Sequence, residues 1–492
     1  MEKIGYVIGE SGIQEATLLV KNENVRVGEY VVLEYNNKKI LSLIISLTAG
    51  SPIFDDKTYD VQMVEQFDSL DKVPTYTKAK IKLLCNLNNL SQPDQPPPPL
   101  TPARLATDAE LRKFASNGDV VIGKLIGTNV EVKIDVNQLF KHLAILAATG
   151  SGKSNTVAIL SSRIAELGGT TMIFDYHGEY YESDIKMLEV IKPVINPLYL
   201  TASEFARLLY VNEKRAHIQY RLLRKTFTLL KEDIWKWLKE GKISVSELNE
   251  DSFATKFEEY LEKIAKGEHG SNDKRVDEVM DKFEDFMDRY GSLINFAVGD
   301  ITQRMKEGKA NVVNISELAD DSIADAVISH YLRRVLQARK DQKIKGGGLE
   351  YPVFIIIEEA HVFLSNKEKT LTKEWAGRIA REGRKFGVGL VIVSQRPKGI
   401  DENILSQMTN KIILRIVEPS DQKYVLDASD NLTEDLVNSL ASLDVGEALI
   451  IGGLTRIPLM VKIDKFEGKL GGNNPKIFKR KDFPPDMPGL KI

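Results

Sequence analysis

The stretch Ala147-Ala-Thr-Gly-Ser-Gly-Lys-Ser154 constrains this chain more than any other. It follows the apolar run Leu143 to Ala147 and opens a helical run, Asn155 to Leu167, so it lies where a strand hands over to a helix. In that setting small residues let backbone N–H groups turn inward around a β-phosphate, and the helix N-terminus adds partial positive charge. Lys153 is placed to reach the β- and γ-phosphates of ATP, and Ser154 to ligate Mg²⁺. Thr149, Gly150, Ser151, Gly152 and Asn155 complete the cradle. The first glycine of the GxxxxGK[ST] pattern is Ala147 here, which is tolerated if its φ is negative.

Around this loop, strands alternate with helices from about residue 118, which predicts an α/β layer architecture with a mainly parallel sheet. The strands expected are Leu143 to Ala147, Thr171 to Asp175, Ala310 to Ile315, Val353 to Ile357, Gly389 to Ser394, Lys411 to Ile416 and Ala448 to Ile451. Between the second and third, Leu, Lys, Glu and Arg recur at helical spacing, predicting an inserted helical subdomain over 201–300. Residues 1–75 alternate apolar and polar over short runs broken by turn signals, the pattern of a small β-barrel. Asn86 to Pro102, with four consecutive prolines, reads as an extended spacer, so 76–117 is expected to be a proline-rich linker and connecting segment. The α/β core then occupies 118–200 and 301–465, and 466–492 is a basic, proline-punctuated tail.

A second chemical signal lies about 200 residues past the glycine loop, in Val353-Phe-Ile-Ile-Ile-Glu-Glu-Ala-His361. A buried strand ending in two carboxylates places Glu358 to hold the Mg²⁺ shell through water and Glu359 to polarise an attacking water. Asp175 ends another strand at the sheet edge where ligands gather, and either orients the water or metal shell or caps an ordinary turn. Gln395 closes Leu390-Val-Ile-Val-Ser-Gln395, where its amide would sense a γ-phosphate, or cap a strand. His177 and His361 are too separated and unaccompanied to make a metal site. Arg378, Arg381 and Arg384 share one arc after the acidic strand. They read as a solvated basic face, with one of them able to act as an arginine finger on a neighbouring subunit's nucleotide.

Composition closes off several classes. Cys85 is the single cysteine and the six histidines show no zinc spacing, which excludes a disulfide scaffold and a zinc module. No apolar run approaches the ~20 residues of a spanning helix, and Glu2, Lys3, Glu10 and Glu15 interrupt any signal-peptide core, so a cytoplasmic protein without an integral membrane segment is expected. A net charge of −3 means that any grip on DNA comes from a local patch or an assembled channel.

In combination and order, the β-rich start, Val121-Ile-Gly-Lys124, Val130 to Asp135, the glycine loop, Asp175-Tyr-His-Gly-Glu179, the helical insertion, Ile357-Glu-Glu-Ala-His361 and Ser394-Gln-Arg-Pro397 resemble the archaeal HerA family, within the HerA/FtsK group of RecA-like motor ATPases. The resemblance implies a RecA-like P-loop ATPase core under a HAS-barrel-like domain, a hexameric ring, and ATP-driven translocation along double-stranded DNA with helicase activity. It further implies a NurA-type nuclease as partner in DNA double-strand-break repair, a barrel face that docks that nuclease, and a tail that braces the adjacent subunit. It assigns Arg381 as the trans finger, while the pore-lining residues stay open, with Lys367, Lys369 and Lys373 as candidates against a solvated charge run. Two other readings share the same core: a secretion or conjugation motor with a membrane partner, and a nucleotide-gated DNA-binding ring without processive movement.

Overall fold

The structure, a computed structural model, describes residues 2–21, 25–54, 61–62, 65, 73–211, 216–268, 274–318, 320–429 and 432–471. The chain opens with a closed antiparallel barrel in the order β1-β2-β5-β4-β3-β6. Its strands are β1 (Gly5–Ile8), β2 (Glu15–Val20), β3 (Tyr30–Tyr35), β4 (Lys38–Gly50), β5 (Tyr76–Asn86) and β6 (Pro102–Leu105). Val7, Leu18, Val31, Leu33, Ile40, Ile44, Ile81 and Ala103 fill the interior. On the outward face of β3 and β4, Tyr30, Val32, Leu41, Leu43 and Ile45 are equally buried, because they join the core of the following domain. Burial on both faces explains why Ile40 to Leu47 is nearly continuous in apolar residues, where a half-exposed strand would alternate.

The expected linker is corrected here: the barrel continues to Leu105. In β5, Lys78, Lys80 and Lys82 alternate with buried Ala79, Ile81 and Leu83, and the strand pairs with both β2 and β4. The proline-rich segment is extended, as its composition dictates, yet it straps the barrel wall and spaces nothing. Tyr35 Oη donates to the Gln95 carbonyl at 2.7 Å, Lys38 pairs with Asp94 at 2.6 Å, and the Leu100 amide donates to Val7 at 2.9 Å. Helix α1 (Asp108–Ala115), with its Thr107/Glu110 capping box, makes the connection to the next domain.

That domain is built on an 11-stranded sheet ordered β11-β12-β10-β13-β14-β9-β15-β16-β17-β7-β8. The strands in chain order are β7 (Val120–Leu125), β8 (Glu131–Ile134), β9 (Leu143–Leu146), β10 (Thr171–Asp175), β11 (Leu188–Ile191), β12 (Ala310–Asn314), β13 (Val353–Ile357), β14 (Val388–Ser394), β15 (Asn410–Leu414), β16 (Glu447–Ile451) and β17 (Leu459–Ile463). The run from β11 to β15 is parallel, and the remaining pairs, β15 with β16 onward to β8, are antiparallel. The parallel half matches the expected architecture; the antiparallel extension does not appear in that expectation, and it is this extension that carries the barrel. Met460 of β17 donates its amide to Tyr30 Oη at 3.0 Å, and Lys80 pairs with Asp435.

Helix α2 (Lys153–Glu166) leaves the glycine loop with Val157, Ala158, Leu160, Ile164 and Ala165 buried. Between β11 and β12 come α3 (Ala202–Leu208), α4 (His217–Lys239), α5 (Glu250–Glu268) and α6 (Lys274–Tyr290). Phe205 of α3 stacks on Phe227 at 4.2 Å between ring centroids, and Phe253, Phe257 and Phe283 pack beside it. Glu204, buried and capping α3, is also paired with Arg333 at 3.1 Å on α7 (Asp321–Lys345), which locks the insertion to the sheet domain. Helix α8 (Leu371–Glu382) lies against α7. Of the 466–492 tail, residues 466–471 are described; Lys476 to Ile492, the proposed brace, lies outside the described residues.

Candidate active site

Strands β9, β10, β13 and β14 run parallel, so their carboxyl ends deliver the glycine loop, Asp175, Glu358–Glu359 and Gln395 to one edge of the sheet. Ala147 keeps a negative φ, while Gly150 and Gly152 take φ 75° and 106°, conformations that an L side chain rarely adopts. Gly152 is the N-cap of α2 and supplies no side-chain cap, so the first N–H groups of the helix, including those of Lys153 and Ser154, are left to an external acceptor. That is an anion cradle. Ser151 is buried, with its carbonyl accepting from Gly446 at 2.9 Å, which fixes the loop against the start of β16. Thr149 Oγ1 donates to Gln395 Oε1 at 2.6 Å, so the Gln395 amide stands directly beside the loop.

The two adjacent carboxylates separate as expected of strand neighbours. Glu359 turns to the loop and pairs with Lys153; its backbone sits at φ 42°, a left-handed conformation costly for a side chain of this size. Glu358 turns into the protein, where Tyr180 Oη donates to it at 2.7 Å and the Tyr176 amide at 3.3 Å. Burial, and next the negative charge of Asp175, push the Glu358 carboxyl up to about 8. Asp175 and Glu179 on one side and Lys153 on the other thus act on Glu358 with opposite sign, and among the described residues no three His, Cys, Asp or Glu side chains are grouped to hold a metal ion by themselves.

Several expected site residues have other work. Asp175 is fully buried, and its two oxygens accept from the amides of Glu179, Tyr180 and Tyr181 at 2.9 to 3.0 Å. It therefore holds the loop after β10 in place, which is the turn-capping alternative of the two expected, and both of its oxygens are engaged there and not turned toward a metal shell. The Asn155 side chain donates to the Asp464 carbonyl at 2.8 Å and accepts from the Phe466 amide at 2.7 Å, so it anchors the chain after β17 instead of touching phosphate. Lys373 is spent on the carbonyls of Ser365 and Glu368, both at 2.7 Å, whereas Lys367 and Lys369 are exposed.

Arg381 is exposed near the end of α8. The carbonyl of its neighbour Ala380 lies 3.0 Å from Nε2 of His142, the residue that precedes β9. Arg381 is thus at the opposite end of the strands from the glycine loop of its own chain, so it is not part of that chain's site. Arg378 pairs with Glu374 at 2.8 Å and covers the Trp375 ring, as a solvated helix face does.

What sequence reasoning missed are the groups that surround the carboxylates. His177 Nε2 is 3.4 Å from Glu359 Oε1, and His361 Nδ1 is 3.2 Å from Glu359 Oε2 and 3.2 Å from Ser394 Oγ. Tyr180 and exposed Arg396 also belong here, Arg396 following Gln395 into a cavity lined by Ala148, Thr149, Val417 and Glu418. The one available signal was adjacency: His177 and Tyr180 follow Asp175, and His361 follows Glu359.

Three families match the chain: the HAS barrel domain over residues 4–89, the central domain of helicase HerA over 120–335, and the HerA-like helicase C-terminal domain over 292–462. The DNA double-strand break repair helicase HerA of Sulfolobus acidocaldarius is 57% identical over 481 residues, covering 96% of this chain and 95% of that protein. The helicase of the same name from Saccharolobus solfataricus is 56% identical, covering 96% and 94%, and that from Pyrococcus furiosus 34% identical over 74% of each chain. Among solved structures, VirB4 of Thermoanaerobacter pseudethanolicus superposes with a TM-score of 0.51 at 17% identity, covering 71% of this chain and 97% of that one, a likeness of fold. With matched domains across barrel and core and full-length relatives above half identity, the chain belongs to the HerA helicase family.

Proposed function

We propose that the chain is the subunit of a ring-shaped, ATP-driven motor that translocates along and unwinds double-stranded DNA in double-strand-break repair.

 Among the described residues, no helix is long and apolar enough to cross a membrane. The observation that carries the proposal is the Lys153–Glu359 pair at the mouth of the glycine loop, beside the Thr149–Gln395 bond. These four side chains come from three parallel strands and converge where a γ-phosphate and its attacking water would meet. The names of the relatives, at 56–57% identity over nearly the whole chain, supply the DNA and repair context.

In this reading the N–H groups of the glycine loop and Lys153 hold the β- and γ-phosphates of ATP. Ser154 would ligate Mg²⁺ and Glu358 would hold its water shell; a hydroxyl and a carboxyl oxygen are the hard donors that suit that ion, which keeps most of its waters and shares phosphate oxygens. When bound, Mg²⁺ neutralises charge developing across the phosphates. Glu359 polarises the water, Gln395 senses the γ-phosphate, and Arg381 reaches the site of a neighbouring subunit in a hexamer. A NurA-type nuclease on the barrel side completes the end-processing machine.

The test is ATP turnover with and without duplex DNA, alongside the mass of the assembly in solution. Stimulation by duplex in a hexameric assembly, lost in Glu359→Gln with ATP binding retained, is the expected result. Turnover that ignores duplex DNA and occurs in a monomer overturns the motor reading.

A further inference from the structure

Glu359 has to serve two arrangements. In the one seen here its Oε1 is paired with Lys153, and the carboxylate is buried, with the backbone held at φ 42°. Phosphates entering the glycine loop draw the same ammonium away, because its charge goes to the larger negative charge. A buried carboxylate stripped of its cation must find other donors or take up a proton, and a protonated Glu359 no longer polarises water.

The structure holds the replacement ready. Glu359 Oε2 is buried without a hydrogen bond of good geometry. The imidazole Nδ1 of His361 stands 3.2 Å from it, and the same Nδ1 is 3.2 Å from Ser394 Oγ at the end of β14. One Nδ1–H cannot serve both oxygens fully, so Ser394 and Glu359 compete for it. Ser394 also precedes Gln395, whose amide oxygen is bonded to Thr149 of the glycine loop. A Cβ on Gly399 would lie 3.0 Å from His361 Cβ, so the loop after β14 backs directly onto this residue and limits its retreat. On the other oxygen, His177 Nε2 waits at 3.4 Å.

We propose that His361 is a positioning residue: it takes hold of Glu359 as Lys153 turns to the phosphates, and it couples that hand-over to the γ-phosphate-sensing strand through Ser394. His361 donates a hydrogen bond and transfers no proton. The proposal rests on Glu359 being the water-polarising group.

The experiment compares full-length, assembled His361→Ala, His361→Asn, His361→Gln, Ser394→Ala and the His361→Ala/Ser394→Ala double variant, measuring kcat in the presence of duplex DNA and ATP affinity separately. An asparagine amide reaches the Nδ1 position, whereas a glutamine amide reaches the Nε2 position. His361→Ala is expected to lower kcat about tenfold or more while ATP affinity stays within about twofold. His361→Asn should recover most of that loss and His361→Gln little of it. Ser394→Ala should change kcat in the wild type but add nothing in the His361→Ala background, the signature of two residues acting through one contact. Wild-type kcat in His361→Ala, an affinity loss that matches the kcat loss, or equal activity of the asparagine and glutamine variants overturns the proposal. If His361→Ala does not assemble, the asparagine and glutamine pair decides alone. Normal turnover by Glu359→Gln marks instead the failure of the underlying reading of Glu359, whatever the histidine variants do.

Discussion

Glu358 makes stability depend on pH in a direction opposite to that of an ordinary ion-paired carboxylate. Its carboxyl is raised from 4.5 to about 8, first by burial and then by the charge of Asp175, while the Tyr180 hydroxyl pulls it part of the way back. Between those two values the folded chain binds a proton that the unfolded chain has lost, so the unfolding free energy falls as pH rises across that window. Below the unfolded value both states are protonated and the penalty vanishes. Glu358→Gln removes the titration while keeping the shape: the amide carbonyl still accepts from the Tyr176 amide, and the Tyr180 hydroxyl turns to accept from the new NH₂. At ~1.4 kcal/mol per pKa unit the ceiling on the gain is ~5 kcal/mol, and relaxation of the surroundings with entry of water brings the expected value to ~2 kcal/mol. The assay is urea unfolding of the full-length protein without nucleotide or divalent cation, at about pH 5 and about pH 8.5, for wild type and variant. The variant should gain little at the acidic pH and ~2 kcal/mol at the alkaline one. A gain equal at both pH values, or wild type the more stable at about pH 8.5, refutes the linkage argument.

Three further outcomes follow from the same geometry. Lys153→Ala should abolish hydrolysis, with loss of ATP affinity, and near-normal turnover in a steady-state assay would remove the nucleotide site from this loop. Asp175→Asn replaces one of the two accepting oxygens by an amide that faces backbone N–H groups, so it should cost ~1–3 kcal/mol in a denaturation midpoint and slow turnover by loosening the loop that carries His177 and Tyr180; an unaltered midpoint would show that those bonds carry little. Arg381→Ala should bind ATP but hydrolyse it poorly, and mixing it with Lys153→Ala subunits should restore some turnover, because an intact loop then meets an intact arginine across the boundary; verified mixed rings without recovery would count against action in trans.

How much of this was legible depended on whether a feature is local. The glycine loop and the acidic strand could be read because their chemistry and their burial sit in one stretch: Leu143 to Leu146 and Val353 to Ile357 are buried on both faces and so are apolar throughout. The alternation of lysine with Ala79, Ile81 and Leu83 was equally readable as a barrel strand, but the neighbouring prolines drew the boundary to the wrong side of it. The pairing of β17 with β7 joins Val461 to Leu125, residues whose separation in sequence leaves no pattern to read. The same holds in the site. Asp175 stayed open between a ligand and a turn cap because a strand-end carboxylate in an α/β fold can be either, and only the turn of the following loop reveals where its oxygens go. His177 and His361 looked isolated because the sheet brings them to the two oxygens of one carboxylate from loops after β10 and β13.

The antiparallel extension also decides where motion can occur. Tyr30, Val32, Leu41, Leu43 and Ile45 are buried on the outer wall of the barrel against the ATPase core, and the Tyr30 hydroxyl closes on the Met460 amide. At ~1.5–3 kcal/mol for each such side chain, rocking the barrel off the sheet would expose surface worth ~10 kcal/mol, before the loss of the Tyr30 bond and the Lys80–Asp435 pair. The Phe205 cluster holds the insertion together internally, and the Glu204–Arg333 pair ties it to the core. Separating the barrel from the core is therefore a costly motion. The cheaper motions are those of the loops above the sheet, where Lys153 and the two histidines share Glu359. On the readings proposed above, a nucleotide signal that begins with Lys153 leaving Glu359 would run outward along β14 through Ser394 or, in a ring, across to a neighbouring chain, and a hinge between barrel and motor would be the costly alternative.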